Sequence, residues 1–254
     1  MDRLLCACAT NIYPGGQGVK KDLISYKITK KALKVIGNGN VNGIDVNCFN
    51  PELYDVNNKI EERKKIKISE NDFVFIFVGR LVKDKGINEL VEAFFRLESN
   101  YRNIKLLLVG PFENDLDPLN NETLEIIKES DNIISVGFQN DVRSYFAIAD
   151  VLVFPSYREG FPNVVMQAGA MGLPSIVTDI NGSNEIIIEN ENGIIIPVKD
   201  VNAIYEGMEK ILTDVNYRYG LQINSRHNII SRYEQQLIWN ALLDEYNNLI
   251  KNNV

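Results

Sequence analysis

The chain of 254 residues has room for one large domain, or for one complete domain and part of a second. Its hydrophobic fraction of 45% allows a well-buried core, and its net charge of −7 argues against a general nucleic-acid binder held by phosphate contacts. We expect no membrane-spanning segment, since no apolar run approaches the roughly 18 residues required, and no signal peptide. The unpatterned cysteines Cys6, Cys8 and Cys48 predict reduced thiols and a cytoplasmic protein.

The first part of the chain predicts isolated elements. RLLCACAT (3–10) is typical of a strand with Cys6 and Cys8 on one buried face, VKKDLISYKI (19–28) of a helix, and ALKVIGNG (32–39) of another strand. Two strands and one helix do not form a domain. Residues 1–50 are therefore predicted to be a remnant of a domain with a crossover, and the charged residues 51–71 a linker.

From residue 72 onward, short apolar runs alternate with helical patterns. FVFIFVGRL (73–81) and IKLLLVG (104–110) are typical of strands covered on both faces, and NELVEAFFRLES (88–99) places Leu90, Phe94 and Leu97 on one helical stripe. The further strands are predicted at 133–137, 151–156, 173–178 and 193–198. This alternation predicts an α/β fold, a doubly wound parallel sheet over 72–215.

The last part, 216–254, has a helical pattern that puts four apolar residues on one side: Trp239, Leu242, Leu243 and Tyr246. We expect these helices to pack back towards the N-terminal remnant.

Ligands of such sheets bind beyond the carboxyl ends of the strands. The loops expected to matter are 79–86, 110–118, 137–141, 155–162 and 178–185, and all of them carry glycine, proline or charge.

Two separate stretches identify a family. GRLVKDKGINELVEAF (79–94) and VFPSYREGFPNVVMQAGAMGLPSIVTDINGSNEII (153–187) closely resemble the sugar-donor domain of group 1, family-4 retaining glycosyltransferases. The resemblance runs from about residue 34 to the C-terminus. It implies the C-terminal, Rossmann-like half of the two-domain GT-B fold, with most of the N-terminal acceptor domain missing and well over a hundred further residues before Met1 in a full member.

The resemblance assigns roles to residues at the two loop mouths. Arg80 and Lys85, flanked by Gly79 and Gly86, match the family's diphosphate-binding pair; such cations stabilise a leaving group whose charge grows in the transition state. Glu159 matches the glutamate that contacts the donor sugar. A solvated charged loop is the alternative for all three side chains.

The helix after Glu159 is the second part of this predicted site. Gly160 and Phe161 would present backbone N–H groups to a phosphate, Pro162 is preset for the first helical turn, and Asn163 follows. Gln167 stands where the family has a second glutamate, which contacts the ribose; the amide keeps a carbonyl acceptor, so we expect a weakened contact to survive.

Weaker matches complete the predicted donor site. Gly110 and Pro111 end a strand under the nucleotide, and Gly137 and Phe138 match the loop that borders the base. Asn184 and Glu185 are candidates for contact with sugar or diphosphate, with helix capping an equal alternative.

Four other features of the sequence are not part of the predicted donor site. DLD (115–117) mimics a metal-binding motif of a different glycosyltransferase fold, but it is predicted to cap a helix or lie in solvent, and no metal is expected. GNGNVNG (37–43) is predicted to be a flexible crossover loop and His227 a surface residue. The basic stretch 19–34 is either a lysine-rich exposed helix or a contact for an anionic membrane surface.

The expected function is transfer, with retention, of a hexosyl unit from a nucleotide-sugar to a saccharide or lipid-linked acceptor in surface polysaccharide assembly. The donor is expected to be UDP- or GDP-linked rather than ADP-linked, without a cofactor, and the enzyme to be cytoplasmic, at most peripherally in contact with the inner face of the membrane. The chain alone is expected to bind nucleotide and to transfer poorly. Two alternatives stay open, a non-catalytic donor-binding subunit completed by an acceptor-domain partner chain, and a nucleotide-sugar epimerase.

Overall fold

The computed structural model describes residues 1–113 and 115–252, so residue 114 of the predicted loop 110–118 and residues 253–254 of the predicted C-terminal unit lie outside the described residues. The helices, in chain order, are α1 (Asp2–Cys8), α2 (Gln17–Ser25), α3 (Val56–Lys65), α4 (Ile87–Glu98), α5 (Asn121–Glu129), α6 (Arg143–Ala147), α7 (Asn163–Ala170), α8 (Ser183–Ile186), α9 (Val201–Thr213), α10 (Val215–Tyr233) and α11 (Gln235–Asn252). The strands are β1 (Phe73–Val78), β2 (Ile104–Val109), β3 (Ile133–Ser135), β4 (Val151–Phe154), β5 (Ser175–Thr178) and β6 (Gly193–Ile196).

The strands form one parallel six-stranded sheet in the order β3-β2-β1-β4-β5-β6. The predicted doubly wound α/β fold is confirmed. The order reverses between β1 and β4, which makes the carboxyl ends of these two strands the topological switch point, where such sheets bind their ligands.

Helices cover both faces of the sheet, which is why its central strands are apolar along their whole length. β4 and β5 are buried throughout, and only the two end residues of β1 are partly exposed. The predicted stripe of α4, Leu90, Phe94 and Leu97, is completely buried. This core fixes the strand ends on which the site loops begin.

The predicted strand at 3–10 is wrong, because these residues form helix α1. Cys6 is buried but Cys8 is exposed, since a helix does not place i and i+2 on one face. The predicted strand at 32–39 is also absent from the described structure, where Leu33 makes one isolated bridge to Ile12. The rest of 32–39 has no strand to pair with in the described part of the chain and ends in a turn.

The middle of the segment predicted as a linker is helix α3, which begins with a capping box between Asp55 and Asn58. Arg63 ties this helix to the sheet domain. Its guanidinium donates to the carbonyl oxygens of Ile148 (2.7 Å) and Asp72 (2.8 Å). These charge-assisted bonds fix α3 at the amino-terminal edge of the sheet.

Helix α11 contacts the N-terminal segment through a different face from the predicted one. Its buried residues are Ile238 and Glu245; the Glu245 carboxylate accepts a hydrogen bond from Tyr13 (3.0 Å) and pairs with Lys34. The apolar side chains Trp239, Leu243 and Tyr246 are 50%, 58% and 57% exposed.

Candidate functional site

The loops that follow β1 and β4 meet at the switch point. The β1 loop ends in a short 3-10 turn, Lys83–Lys85, and then in Gly86, whose φ of 71° lies in the left-handed region. A Cβ at this position would overlap the carbonyl oxygen of Pro155. Glycine therefore serves both the turn and the close approach of the two loops.

This approach brings Lys85 and Glu159 into an ion pair. The two side chains are only 16% and 17% exposed, so each depends on the other to compensate its lost hydration. Ser156 donates to the same carboxylate at 2.9 Å. The Lys85 ammonium also lies 6.0 Å from the centre of the Phe154 ring, within cation–π range.

Arg80, the other predicted diphosphate ligand, is separate from this pair. Its guanidinium donates to Glu113 at 2.7 Å, and half of its side chain is exposed. A surface pair of this kind contributes little to stability, so Arg80 can leave Glu113 for an incoming anion at low cost.

Glycines join the ends of β1, β2 and β3. Gly79 and Gly110 have φ values of 153° and 147°, and a Cβ on Gly110 would overlap the carbonyl of Gly79. The Gly110 N–H donates to the carbonyl of Gly137 at 2.9 Å. Next to Gly137, Phe138 exposes 68% of its surface. These positions lie at the carboxyl ends of three neighbouring strands, and the Phe138 ring beside them is exposed to solvent.

The mouth of α7 contains the next group of predicted residues. Pro162 is the N-cap of the helix, one position before its first turn, and Asn163 is N1. Phe161 packs edge-to-face on Tyr233, with ring centres 5.6 Å apart, and a Cβ on Gly182 would overlap the carbonyl oxygen of Gly160. The Asn163 side chain accepts a hydrogen bond from Asn40 at 2.9 Å.

Gln167 lies one turn further along α7. It is half-buried rather than buried, and its side chain makes no hydrogen bond to another residue in the part of the chain that the structure describes. Its amide is therefore available to a ligand.

Glu185 has a partner that the sequence did not indicate. Its carboxylate accepts hydrogen bonds from the backbone N–H groups of Gln17 (2.6 Å) and Gly18 (2.9 Å), the first two residues of α2. Its neighbour Asn184 is exposed and donates to Asp179 at 2.7 Å. Glu185 thus caps the N-terminus of α2, a helix that is distant from it in the sequence.

Two residues of the site were not among the predicted ones. Ser156 is fully buried, and its only signal in the sequence is a polar residue at the carboxyl end of a buried strand. Asn40 is 7% exposed and also accepts bonds from the N–H groups of Asn42 and Gly43, so it anchors the crossover loop to α7. The contact of Asn40 with Asn163 could not be inferred from spacing, because 123 positions separate the two residues, whereas Ser156 and Glu159 are only three positions apart.

Burial also shifts the pKa values of tyrosines near the site. Burial, and then the hydrogen bond to Glu89, raises the pKa of Tyr157 well above its usual range. Burial raises the pKa of Tyr233 to about 12, with its hydroxyl donating to the carbonyl of Glu185 at 2.9 Å. Both tyrosines are neutral hydrogen-bond donors at physiological pH.

The features set aside in the sequence have ordinary positions. Asp117 accepts the N–H of Asp84 at 2.6 Å, Asp115 is exposed, and so is His227. Across residues 1–113 and 115–252, no cluster of His, Cys, Asp or Glu has the form of a metal site. None of the helices described combines the length and hydrophobicity needed to cross a bilayer.

A cavity of about 550 Å³ lies at the opposite edge of the sheet, beneath α3 and lined in part by Arg63, Asp150 and Gln222. Burial raises the pKa of the Asp150 carboxyl, while the Val74 N–H and Arg63 act in the other direction. The cavity is remote from the carboxyl ends of the strands and from the Lys85–Glu159 pair.

A doubly wound parallel sheet with a charged pair at its topological switch point defines an α/β protein of the class that binds ligands at the carboxyl ends of its strands. The chain belongs to the family of glycosyl transferases group 1, whose model matches residues 58–233. This family membership confirms the resemblance to group 1 glycosyltransferases and the GT-B assignment made from the two motifs, while membership of family 4 and retention stay predictions.

Among curated proteins, the capsular polysaccharide biosynthesis glycosyltransferase CapM of Staphylococcus aureus is 32% identical over 252 residues, which cover 99% of this chain and 65% of CapM. An Escherichia coli enzyme named UDP-Gal:alpha-D-GlcNAc-diphosphoundecaprenol alpha-1,3-galactosyltransferase is 28% identical over 216 residues, covering 83% of this chain and 54% of that protein. The chain thus spans between about half and two thirds of these relatives.

Among solved structures, Anabaena Alr3699/HepE in complex with UDP and glucose has a TM-score of 0.85 at 19% identity, over 96% of this chain and 65% of that one. This similarity shows a shared fold.

Proposed function

We propose that this chain is the donor-binding part of a hexosyltransferase that uses a UDP- or GDP-linked sugar and transfers it with retention. The Lys85–Glu159 pair carries the proposal, because it places one cation and one acceptor together at the switch point. The cation suits a diphosphate and the carboxylate suits sugar hydroxyls.

In the proposed reaction, the bond between the anomeric carbon and the diphosphate oxygen breaks as the acceptor oxygen bonds to that carbon. Lys85 exchanges Glu159 for the diphosphate, and Arg80 leaves Glu113 to join it. Both cations then stabilise the charge that develops on the leaving group. The acceptor proton passes to the leaving phosphate, and Glu159, released from Lys85, orients the sugar.

The named relatives support a role in surface polysaccharide assembly. CapM is named for capsular polysaccharide biosynthesis, and the name of the E. coli enzyme specifies a lipid-linked saccharide acceptor. By analogy, we assign this chain a saccharide or lipid-linked acceptor at the cytoplasmic face of the membrane.

We further propose that the acceptor is bound by additional protein that packs on α11. Trp239, Leu243, Tyr246 and Ile250 recur at helical spacing and are half or more exposed, which forms an apolar stripe without a partner among the described residues. About a third of CapM lies beyond the length that this chain matches. An acceptor-binding polypeptide with an apolar face is the occupant that fits this stripe.

Calorimetric titration with UDP, GDP and ADP tests the donor site. We expect one nucleotide to bind the wild-type chain, and binding to weaken strongly in Lys85→Ala and less in Arg80→Ala. Lys83→Ala is the matched control, because this lysine lies in the same turn and is exposed. Equal affinities in the Lys83 and Lys85 variants would contradict the assignment.

A further inference from the structure

Ser156 lies two residues beyond β4 with its side chain completely buried. Its hydroxyl has three acceptors within reach, the Glu159 carboxylate at 2.9 Å, the Arg158 carbonyl at 3.2 Å and the Asp84 carbonyl at 3.4 Å. A hydroxyl has one proton to donate, and the charged acceptor is the nearest of the three and the strongest.

The backbone of Ser156 is held from both sides. Thr178 on β5 donates its hydroxyl to the Ser156 carbonyl, and the next residue, Tyr157, donates its N–H to the Asp84 carbonyl at 2.9 Å. The position of the Ser156 hydroxyl is therefore fixed by contacts with β5 and with the β1 loop.

Lys85 and Ser156 donate to the same oxygen of Glu159, Oε1. Its other oxygen, Oε2, has no hydrogen-bond partner within the described residues. When Lys85 turns to a diphosphate, Ser156 is the donor that stays on Oε1.

We infer that Ser156 is a positioning residue, which holds Oε1 of Glu159 so that Oε2 accepts a hydroxyl of the donor sugar. This inference rests on the proposed function of Glu159. It also gives the site an order of events, since the carboxylate keeps its orientation after Lys85 has left it.

The first experiment compares the affinity for UDP-glucose with that for UDP, or the corresponding guanine pair if the wild type prefers GDP. Ser156→Ala should weaken binding of the nucleotide-sugar roughly threefold to tenfold and leave binding of the nucleoside diphosphate unchanged. The substitution removes the hydrogen bond that orients the Glu159 carboxylate, and only the sugar contacts that carboxylate. Ser175→Ala is the control, since this serine is equally buried at the sheet but its hydroxyl has no hydrogen-bond partner among the described residues. An equal change for both ligands in Ser156→Ala, or no change, would overturn the inference.

A second measurement needs no ligand. Melting temperatures of Ser156→Ala, Glu159→Ala and the double variant form a double-mutant cycle, and we expect the two effects to be clearly non-additive. If the wild type binds no nucleotide, the proposed donor site fails for this chain, while the cycle still decides the contact. Additive effects would refute the role of Ser156, because they would show that its hydroxyl does not hold the Glu159 carboxylate.

Discussion

Lys85 and Glu159 form an ion pair although 74 positions separate them in the chain. One follows β1 and the other β4, and these strands are neighbours in the sheet. Each side chain comes from one of the two motifs that resemble glycosyltransferases. The two motifs form a single site because the parallel sheet places the carboxyl ends of β1 and β4 side by side.

Lys85→Ala should destabilise the fold by roughly 1–3 kcal/mol, because it leaves the largely buried Glu159 carboxylate with one donor fewer. Arg80→Ala should cost less than about 0.5 kcal/mol, since its pair with Glu113 is at the surface. Urea unfolding measures both. The double variant Lys85→Ala/Glu159→Ala should recover part of the loss, and no recovery would mean that the two groups do not interact.

Two helical glycines should respond in opposite directions to alanine. A Cβ on Gly169 of α7 would come within 2.6 Å of the Ile229 side chain of α10, which is fully buried, so Gly169→Ala should lower the melting temperature. A Cβ on Gly220 of α10 meets no atom within 4 Å, and Gly220→Ala should stabilise by about 0.5–1 kcal/mol through helix propensity. Thermal unfolding of the two variants, followed by circular dichroism, is the measurement. Stabilisation of both would show that α7 and α10 are not in close contact.

Glu185→Gln should loosen the N-terminal segment without unfolding the sheet. The change removes the charge that caps the first N–H groups of α2, and with it the favourable interaction with the helix dipole. Limited proteolysis should cleave within residues 1–35 faster than in the wild type. Asn184→Ala, an exposed neighbour, is the control, and identical cleavage of both variants would contradict the capping role.

The contact between α11 and the N-terminal segment should weaken in acid. The hydrogen bond from Lys34, and then that from Tyr13, lowers the pKa of the Glu245 carboxyl below its ordinary 4.5. A carboxyl whose pKa is lower in the folded state stabilises the fold above its unfolded pKa, and this contribution is lost as the pH falls through the folded value.

The melting temperature of the wild type should therefore exceed that of Glu245→Gln, and this difference should be largest above pH 4.5 and shrink as the pH is lowered further. Asp244→Asn, an exposed change on the same helix, controls for the general loss of negative charge. A margin that stays constant from pH 6 to pH 3, a range chosen around the ordinary carboxyl pKa, would contradict the prediction.

Prediction succeeded where the chain makes its own contacts locally. The apolar stripe of α4 follows from helical periodicity, and the loops bearing Lys85 and Glu159 follow from the alternation of strands and helices. It failed for 3–10, where leucine and alanine favour a helix and the strand prediction overrode that preference. It also missed the partner of Glu185, because a backbone N–H 167 or 168 positions away leaves no pattern in the sequence.

The sequence by itself determined the fold class, the family and the two loops that carry the charged side chains, because apolar periodicity and motif order are properties of neighbouring residues. Only the tertiary structure decided which charges pair. Lys85 pairs with Glu159, whereas Arg80 pairs with Glu113. The Glu185 carboxylate caps α2, and the Trp239 side chain is half exposed to solvent. Such choices depend on which strands and loops become neighbours, and on the need of each buried polar group to find a partner there.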